Sequence, residues 1–143
     1  MPQERIKQTH DQQETRLIEF VLPREWQVLV GRTDKDNDYL SLKVAQPNDW
    51  WFHVRGMSGS HVVLRCPSGK EPDRNTLKMA AAIAAYYSKA RGGGIVAVSA
   101  TRARYVTKPQ RAKPGTVQIR KEIVLKVRPG LCEAAEQDAI DLT

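Results

Sequence analysis

Hydrophobic and polar residues alternate over short runs along most of the chain, which is the pattern of β-strands. The runs that this pattern assigns to strands are Leu17–Leu22, Trp26–Val30, Tyr39–Val44, Trp50–Arg55, His61–Arg65, Ile95–Val98, Tyr105–Thr107, Val117–Ile119 and Ile123–Val127. Residues typical of turns separate the runs, and the polar stretch Arg32–Asp38 is accordingly predicted to be a loop.

One stretch, Thr76–Arg91, has helical periodicity instead. Its apolar residues recur on one stripe, and it is rich in alanine, which permits close packing against a sheet. Asn75 or Asp73 can cap its start, and Gly92 follows its end. The sequence therefore predicts an α+β fold, a mainly antiparallel sheet with one main helix packed against it.

The 143 residues fit one domain, which we place at residues 16–130. Residues 1–15 have no apolar period and are predicted to be a flexible lead, and residues 131–143 form an acidic tail. Cys66 and Cys132 are interpreted as reduced thiols. No run reaches transmembrane length and no signal-peptide core is present, so we expect a cytoplasmic protein without membrane contact, whose oligomeric state stays open.

One segment near the middle of the chain concentrates aromatic, imidazole and guanidinium groups. Alternation places Trp51, His53 and Arg55 on the same face of a strand. After a Gly/Ser turn a second strand begins at His61, and a symmetric hairpin would pair Arg55 with His61 and Trp51 with Arg65. Ring surfaces beside cations suit the bases and phosphates of nucleic acid.

Each of these side chains also has a structural interpretation. Trp51 can stack on a base or belong to the core, and the sequence favours neither. His53 and His61 could bind a metal or transfer protons, but structural zinc takes four ligands and no second Cys/His cluster has suitable spacing. We therefore expect both imidazoles to hydrogen-bond to backbone or phosphate, and we predict no metal, no cofactor and no catalytic residue.

Positive charge is concentrated in the last third of the chain. The formal net charge is +7, yet the segment Arg102–Arg128 alone carries +8, from nine basic residues and the single acid Glu122. Within it, two prolines stiffen the loop Lys108–Gly115, which limits the entropy cost of binding a polyanion. The alternative is a solvated charged face. The cations predicted to engage phosphate are Arg55, Arg102, Arg104, Lys108, Arg111 and Lys113.

In order and spacing these motifs resemble the NFACT-R domain, the predicted RNA-binding module of a ribosome quality-control family. The stretches that carry the resemblance are Gly31-Arg32 followed by Asn37-Asp38-Tyr39, then Asp49–Leu64, Ala81–Arg91 and Tyr105–Gly115. Ser58 stands where the family usually has proline, Ser99-Ala100 where Asp-Tyr is usual, and Arg111 where glycine is usual. The other domains of large family members do not fit into 143 residues, which indicates a freestanding module or a fragment.

The resemblance implies a non-catalytic RNA-binding module for tRNA or ribosomal RNA, with the ribosome as a candidate partner. The residues predicted to bind RNA are Trp51, His53, Arg55, His61, Arg102, Arg104, Lys108, Arg111 and Lys113. One alternative is a protein-interaction module on the ribosome. The other is a small RNA-processing enzyme that uses the two histidines, although the sequence supplies no evident nucleophile or paired carboxylates for it.

Overall fold

The computed structural model describes residues 5–8 and 16–131. Its strands are β1 (Arg5–Gln8), β2 (Arg16–Leu22), β3 (Trp26–Gly31), β4 (Trp50–Val54), β5 (Val62–Leu64), β6 (Val96–Arg102), β7 (Val106–Thr107), β8 (Gln118–Ile119) and β9 (Ile123–Val127). Its helices are α1 (Asp34–Tyr39), which continues as a π-helical turn over Leu40–Val44, and α2 (Arg74–Tyr86). The predicted α+β fold is confirmed.

Seven strands form one sheet in the order β1-β2-β3-β5-β4-β6-β9, and every neighbouring pair is antiparallel. Strands β7 and β8 pair separately. In the β4/β5 pair, Trp51 lies opposite Val63, so the predicted pairing of Trp51 with Arg65 and of Arg55 with His61 is wrong by two residues. Alternation identifies the face of each side chain, and a slip of two residues leaves every face unchanged.

Helix α2 covers one face of the sheet. Asp73 caps it, because Asp73 Oδ1 accepts a hydrogen bond of 2.8 Å from the Thr76 backbone N–H. Small side chains, among them Ala80, Ala81 and Ala84, are fully buried and bring the helix close to the strands. The helix ends at Tyr86, five residues before the predicted end.

The other face of the sheet is covered in part by α1 and the π-helical turn. The predicted loop Arg32–Asp38 and strand Tyr39–Val44 are therefore wrong. A capping box starts α1: Thr33 Oγ1 accepts from the Asp36 N–H, and Asp36 Oδ2 accepts from the Thr33 N–H, each at 3.1 Å. The turn that follows buries Leu40 completely in a second apolar cluster.

The structure differs from the prediction near the amino-terminal end of the chain. Strand β1 lies within the predicted flexible lead and pairs with β2, so part of the predicted lead belongs to the sheet. The predicted acidic tail, with Cys132, lies outside the described residues apart from its first residue. Cys66 is a buried free thiol, and burial raises its pKa to about 11. Within the described ranges, no helix is long and apolar enough to cross a membrane.

Candidate nucleic-acid interface

A chain of buried polar groups begins at Trp51, on the sheet face opposite α2. Trp51 Nε1 donates a hydrogen bond of 2.9 Å to Ser41 Oγ, which lies 2.7 Å from His61 Nδ1. His61 Nε2 lies 3.2 Å from the carbonyl oxygen of Gly115. Since an indole N–H only donates and a carbonyl only accepts, the Ser41 hydroxyl donates to Nδ1, and Nε2 carries the imidazole proton. The chain therefore holds His61 as a neutral ring with both nitrogens bonded.

Trp51 offers little surface to a ligand, because it is 2% exposed and packs in one cluster with Leu40 and Val106, although an edge of it lines the cleft described below. Of the two interpretations that the sequence left open for Trp51, stacking and core, the structure places it in the core. The half-buried ring beside it is His53, which stacks on Trp51 at a centroid distance of 6.0 Å. His61 meets His53 edge-on at 5.4 Å. His53 is therefore the ring of this group that a ligand can reach.

Both imidazoles are uncharged at neutral pH. Burial, with a smaller contribution from His53, lowers the pKa of His61 to about 4, and the Gly115 carbonyl offsets part of this. Burial also lowers the pKa of His53, with the backbone of Gly59 acting in the opposite direction. His53 thus offers an uncharged ring surface, while positive charge has to come from neighbouring Lys and Arg.

Asp38 in α1 fixes the loop Lys108–Gly115, here called the basic loop, beside these rings. Its Oδ2 lies 3.0 Å from Lys108 Nζ, and its Oδ1 accepts a hydrogen bond of 3.0 Å from the Gly115 N–H. Gly115 has φ +85°, and a Cβ there would lie 2.9 Å from Asp34 Oδ1, so a side chain would be both strained and crowded. Lys108 Nζ also donates to the Lys113 carbonyl. The histidine pair and the loop therefore form one surface.

A cleft of about 380 Å³ opens where the loop meets the sheet, and its lining includes both histidines, Arg55 and Thr116. Arg55 is exposed, and its Nε lies 3.9 Å from Glu122 Oε2, which also accepts a hydrogen bond from Ser99. That separation is near the limit of an ion pair, so Arg55 remains available to a phosphate. The cleft thus combines an uncharged ring with a cation at its rim.

Besides Arg55 at the cleft and Lys108 paired with Asp38, the four remaining predicted cations fall into two groups. Arg102 bonds the Asn48 carbonyl at 2.7 Å and also Glu71, whose pKa it lowers, while Arg104 bonds Asn48 Oδ1 at 2.7 Å. Arg102 lies opposite Trp50, three residues along β4 from His53. The structure therefore does not bring Arg102 and Arg104 to the cleft.

Arg111 and Lys113 form the second group, on the basic loop itself. Both are exposed, and among the described residues no carboxylate lies within ion-pair distance of either. Their charge is therefore free to meet a polyanion beside the cleft.

Sequence reasoning missed the residues of α1 and the π-helical turn that build this site, namely Asn37, Asp38 and Ser41. Asn37 is buried, and its Oδ1 accepts a hydrogen bond of 3.0 Å from the His61 N–H. The Thr33–Asp36 spacing of a capping box was the signal that could have predicted a helix here. In the described part of the chain, no group of three or more His, Cys, Asp or Glu side chains could hold a metal ion.

Comparison with known proteins relates this chain to one family. A family model described as the NFACT protein RNA-binding domain matches residues 16–121. Rqc2 homolog RqcH from Bacillus subtilis (strain 168) is 43% identical over 102 residues, which are 71% of this chain and 17% of that protein. Rqc2 homolog RqcH from Streptococcus suis (strain 05ZYH33) is 38% identical over 102 residues, 71% of this chain and 18% of that protein. The chain thus spans less than a fifth of these curated relatives.

A solved structure shares the fold. The C-terminal part of the fibronectin/fibrinogen-binding protein from Streptococcus suis superposes with a TM-score of 0.76 at 31% sequence identity. The match covers 92% of this chain and 51% of that chain.

Proposed function

Since this chain belongs to the NFACT RNA-binding domain family, we propose that it is a non-catalytic RNA-binding module that acts in ribosome quality control. The observation that carries the proposal is the attachment of the basic loop, through Asp38, to the cleft lined by His53 and His61, here called the histidine cleft. This attachment places uncompensated positive charge next to an uncharged, accessible ring. Phosphate and an unpaired base need these two kinds of partner at neighbouring positions.

In this proposal the site residues have different roles. His53 contacts a base, and Arg55, Arg111 and Lys113 contact phosphates. The positions of His53 and of the loop depend on buried or ion-paired groups, namely Trp51, His61 and Lys108. Arg102 and Arg104 have a smaller part in binding, because their guanidinium groups are already engaged with Asn48 and Glu71.

The ligand that we propose is tRNA or ribosomal RNA with unpaired nucleotides. A ring in a cleft reaches a base that is splayed out of a helix, whereas bases stacked in a duplex present only their edges. Duplex DNA would meet the exposed cations alone and would bind through its phosphates without preference for sequence.

Fluorescence anisotropy with tRNA, single-stranded RNA and duplex DNA of matched length, across a salt series, tests the proposal. We expect tighter binding of the RNAs, with affinity that falls steeply as salt rises. The double variant Arg111→Ala/Lys113→Ala should bind RNA more weakly and make the log–log salt slope shallower by about 1.4, since each lost contact to single-stranded phosphate removes about 0.7.

The matched control is Arg74→Ala/Lys78→Ala, which removes the same charge from exposed positions on α2, across the sheet from the cleft. It should leave RNA affinity close to that of the wild type. Equal binding of all three nucleic acids, or equal losses in the two double variants, would contradict a defined RNA site. RNA cleavage that disappears in His53→Ala would contradict the non-catalytic role.

A further inference from the structure

A second concave site lies at the carboxyl end of α2. It has a volume of about 400 Å³, and three cations line it, namely Arg32, Lys89 and Arg91. One acid, Asp34, also lines it, which leaves a net positive charge. Among the described residues, no carboxylate lies within ion-pair distance of any of the three cations. The site is therefore electrostatically suited to an anion.

Arg91 is held in a fixed orientation within this site. Its guanidinium carbon lies 3.8 Å from the ring centroid of Tyr86, and its Nε donates a hydrogen bond of 2.7 Å to the Tyr86 carbonyl. Arg91 is an exposed residue, and its guanidinium carbon also lies 5.8 Å from the ring centroid of Tyr87. Such a planar cation can stack on a base and also donate to a phosphate.

The floor of the second site is attached to the turn between β4 and β5. The Ser60 N–H donates 2.9 Å to the Tyr87 carbonyl, and the Lys89 N–H donates 3.3 Å to the Ser58 carbonyl. Gly59 forms a β-bridge with Ser88 between these two bonds. The segment that carries Lys89 and Arg91 therefore keeps a defined position relative to the strand that carries His53.

A third concavity connects the second site to the histidine cleft. It shares His53, Gly115 and Thr116 with the cleft. It shares Asp34, Ser58 and Gly59 with the site at the end of α2. Lys113 lines it from the basic loop. The three concavities form one groove, with the His53 ring at one end and the Arg91 guanidinium at the other. Between them lies Lys113, which has no carboxylate within ion-pair distance among the described residues.

We propose that this groove binds one continuous unpaired RNA strand, and that the Arg32/Lys89/Arg91 site is a second subsite for a base and its phosphate. The inference rests on the proposed RNA-binding function and extends it to a specific path. An unpaired strand can place successive bases on separate planar surfaces while its phosphates follow the cations, whereas a duplex cannot separate its bases in this way.

A length series of single-stranded oligouridylates, from four to twelve nucleotides, tests the path with the full chain. Wild-type affinity should rise with length beyond the purely statistical increase and then level off once both subsites are filled. The double variant Arg32→Ala/Arg91→Ala should bind the four-nucleotide RNA like the wild type and the longest RNA about tenfold more weakly, the size expected for one lost stacking contact. Arg91→Lys, which keeps the charge and loses the plane, should recover only part of the loss.

The matched control is Arg74→Ala/Lys78→Ala, which removes two exposed cations from α2 outside the groove. Circular dichroism and thermal unfolding verify that every variant is folded. The path is overturned if Arg32→Ala/Arg91→Ala binds all lengths like the wild type, or if it loses the same factor at every length. Failure of the wild type to bind any RNA would instead overturn the proposed function itself, so the two failures are distinguishable.

Discussion

The two faces of the sheet bury their side chains in chemically different surroundings. Under α2, side chains such as Phe52 and Ile83 are fully buried in a cluster that consists of apolar residues. On the opposite face, Trp51 and Leu40 are as deeply buried, yet a hydrogen-bonded chain through Ser41 and His61 crosses the cluster and ends at the basic loop. We infer that the first face supplies stability and that the second positions the binding loop.

Two neighbouring tryptophans illustrate the difference. Trp51 faces the π-helical turn, where Ser41 Oγ accepts the hydrogen bond of its indole N–H. Trp50 faces α2, and its buried Nε1 has no hydrogen-bond partner among the described residues. The guanidinium carbon of Arg102 lies 4.6 Å from the centroid of its ring. The face under α2 thus provides packing and few polar partners, whereas the other face is arranged around its hydrogen bonds.

The largest expected effect comes from opening a cavity under α2. Phe52→Ala should lower the free energy of unfolding by about 3–5 kcal/mol, because it removes a fully buried ring from a close-packed cluster. Urea unfolding followed by tryptophan fluorescence measures the loss. Val124→Ala, at a side chain that is 39% exposed, is the control and should change stability by less than about 0.5 kcal/mol. A loss below 1 kcal/mol for Phe52→Ala would contradict a packed core on this face.

The second expected effect is a pH dependence of stability that arises from His61, on the sheet face opposite α2. The pKa of His61 is about 4 in the folded chain and 6.5 in its unfolded reference, so the unfolded state binds more protons as the pH falls through this window. His61 therefore contributes stability that is complete above pH 6.5 and decreases toward pH 4, by about 3 kcal/mol over the whole range.

Urea unfolding at pH 7 and pH 4, in the wild type and in His61→Gln, isolates this contribution from that of the carboxylates. We expect the wild type to lose more stability than the variant by about 3 kcal/mol, because glutamine does not titrate. Equal losses in both proteins would show that His61 does not stay neutral in the folded state.

Sequence patterns predicted the strands and α2 because each of them reports local burial. Alternation identified β2, β3, β4 and β5, and alanine at helical spacing identified α2. The same rule failed at Tyr39–Val44, where Leu40 and Leu42 alternate with polar residues as in a strand but lie on a helical turn. The capping box at Thr33 outweighs that alternation, since it fixes the start of a helix.

The site was only partly predictable, because its partners are distant in sequence. Lys108 meets Asp38 across 70 residues, and Arg102 meets Glu71 across 31 residues. A charge run reveals that cations are present and leaves open which of them an acid neutralises. The distinction between free and engaged cations therefore required the tertiary structure.

The smallest expected effect tests whether the hydrogen-bonded chain on the face opposite α2 positions the basic loop. Ser41→Ala removes the hydroxyl between Trp51 Nε1 and His61 Nδ1, so two buried polar atoms lose their partner at a cost of about 1–3 kcal/mol. Because His61 also bonds the Gly115 carbonyl, the loop should become less ordered, with faster hydrogen exchange at the Gly115 amide and weaker RNA binding. Ser68→Ala, at an exposed serine, is the control and should change none of these readouts. The opposite result is a Ser41→Ala protein that loses stability while exchange at the Gly115 amide and RNA affinity stay unchanged. It would show that the face opposite α2 serves only as a packed core, and that Asp38 alone positions the basic loop.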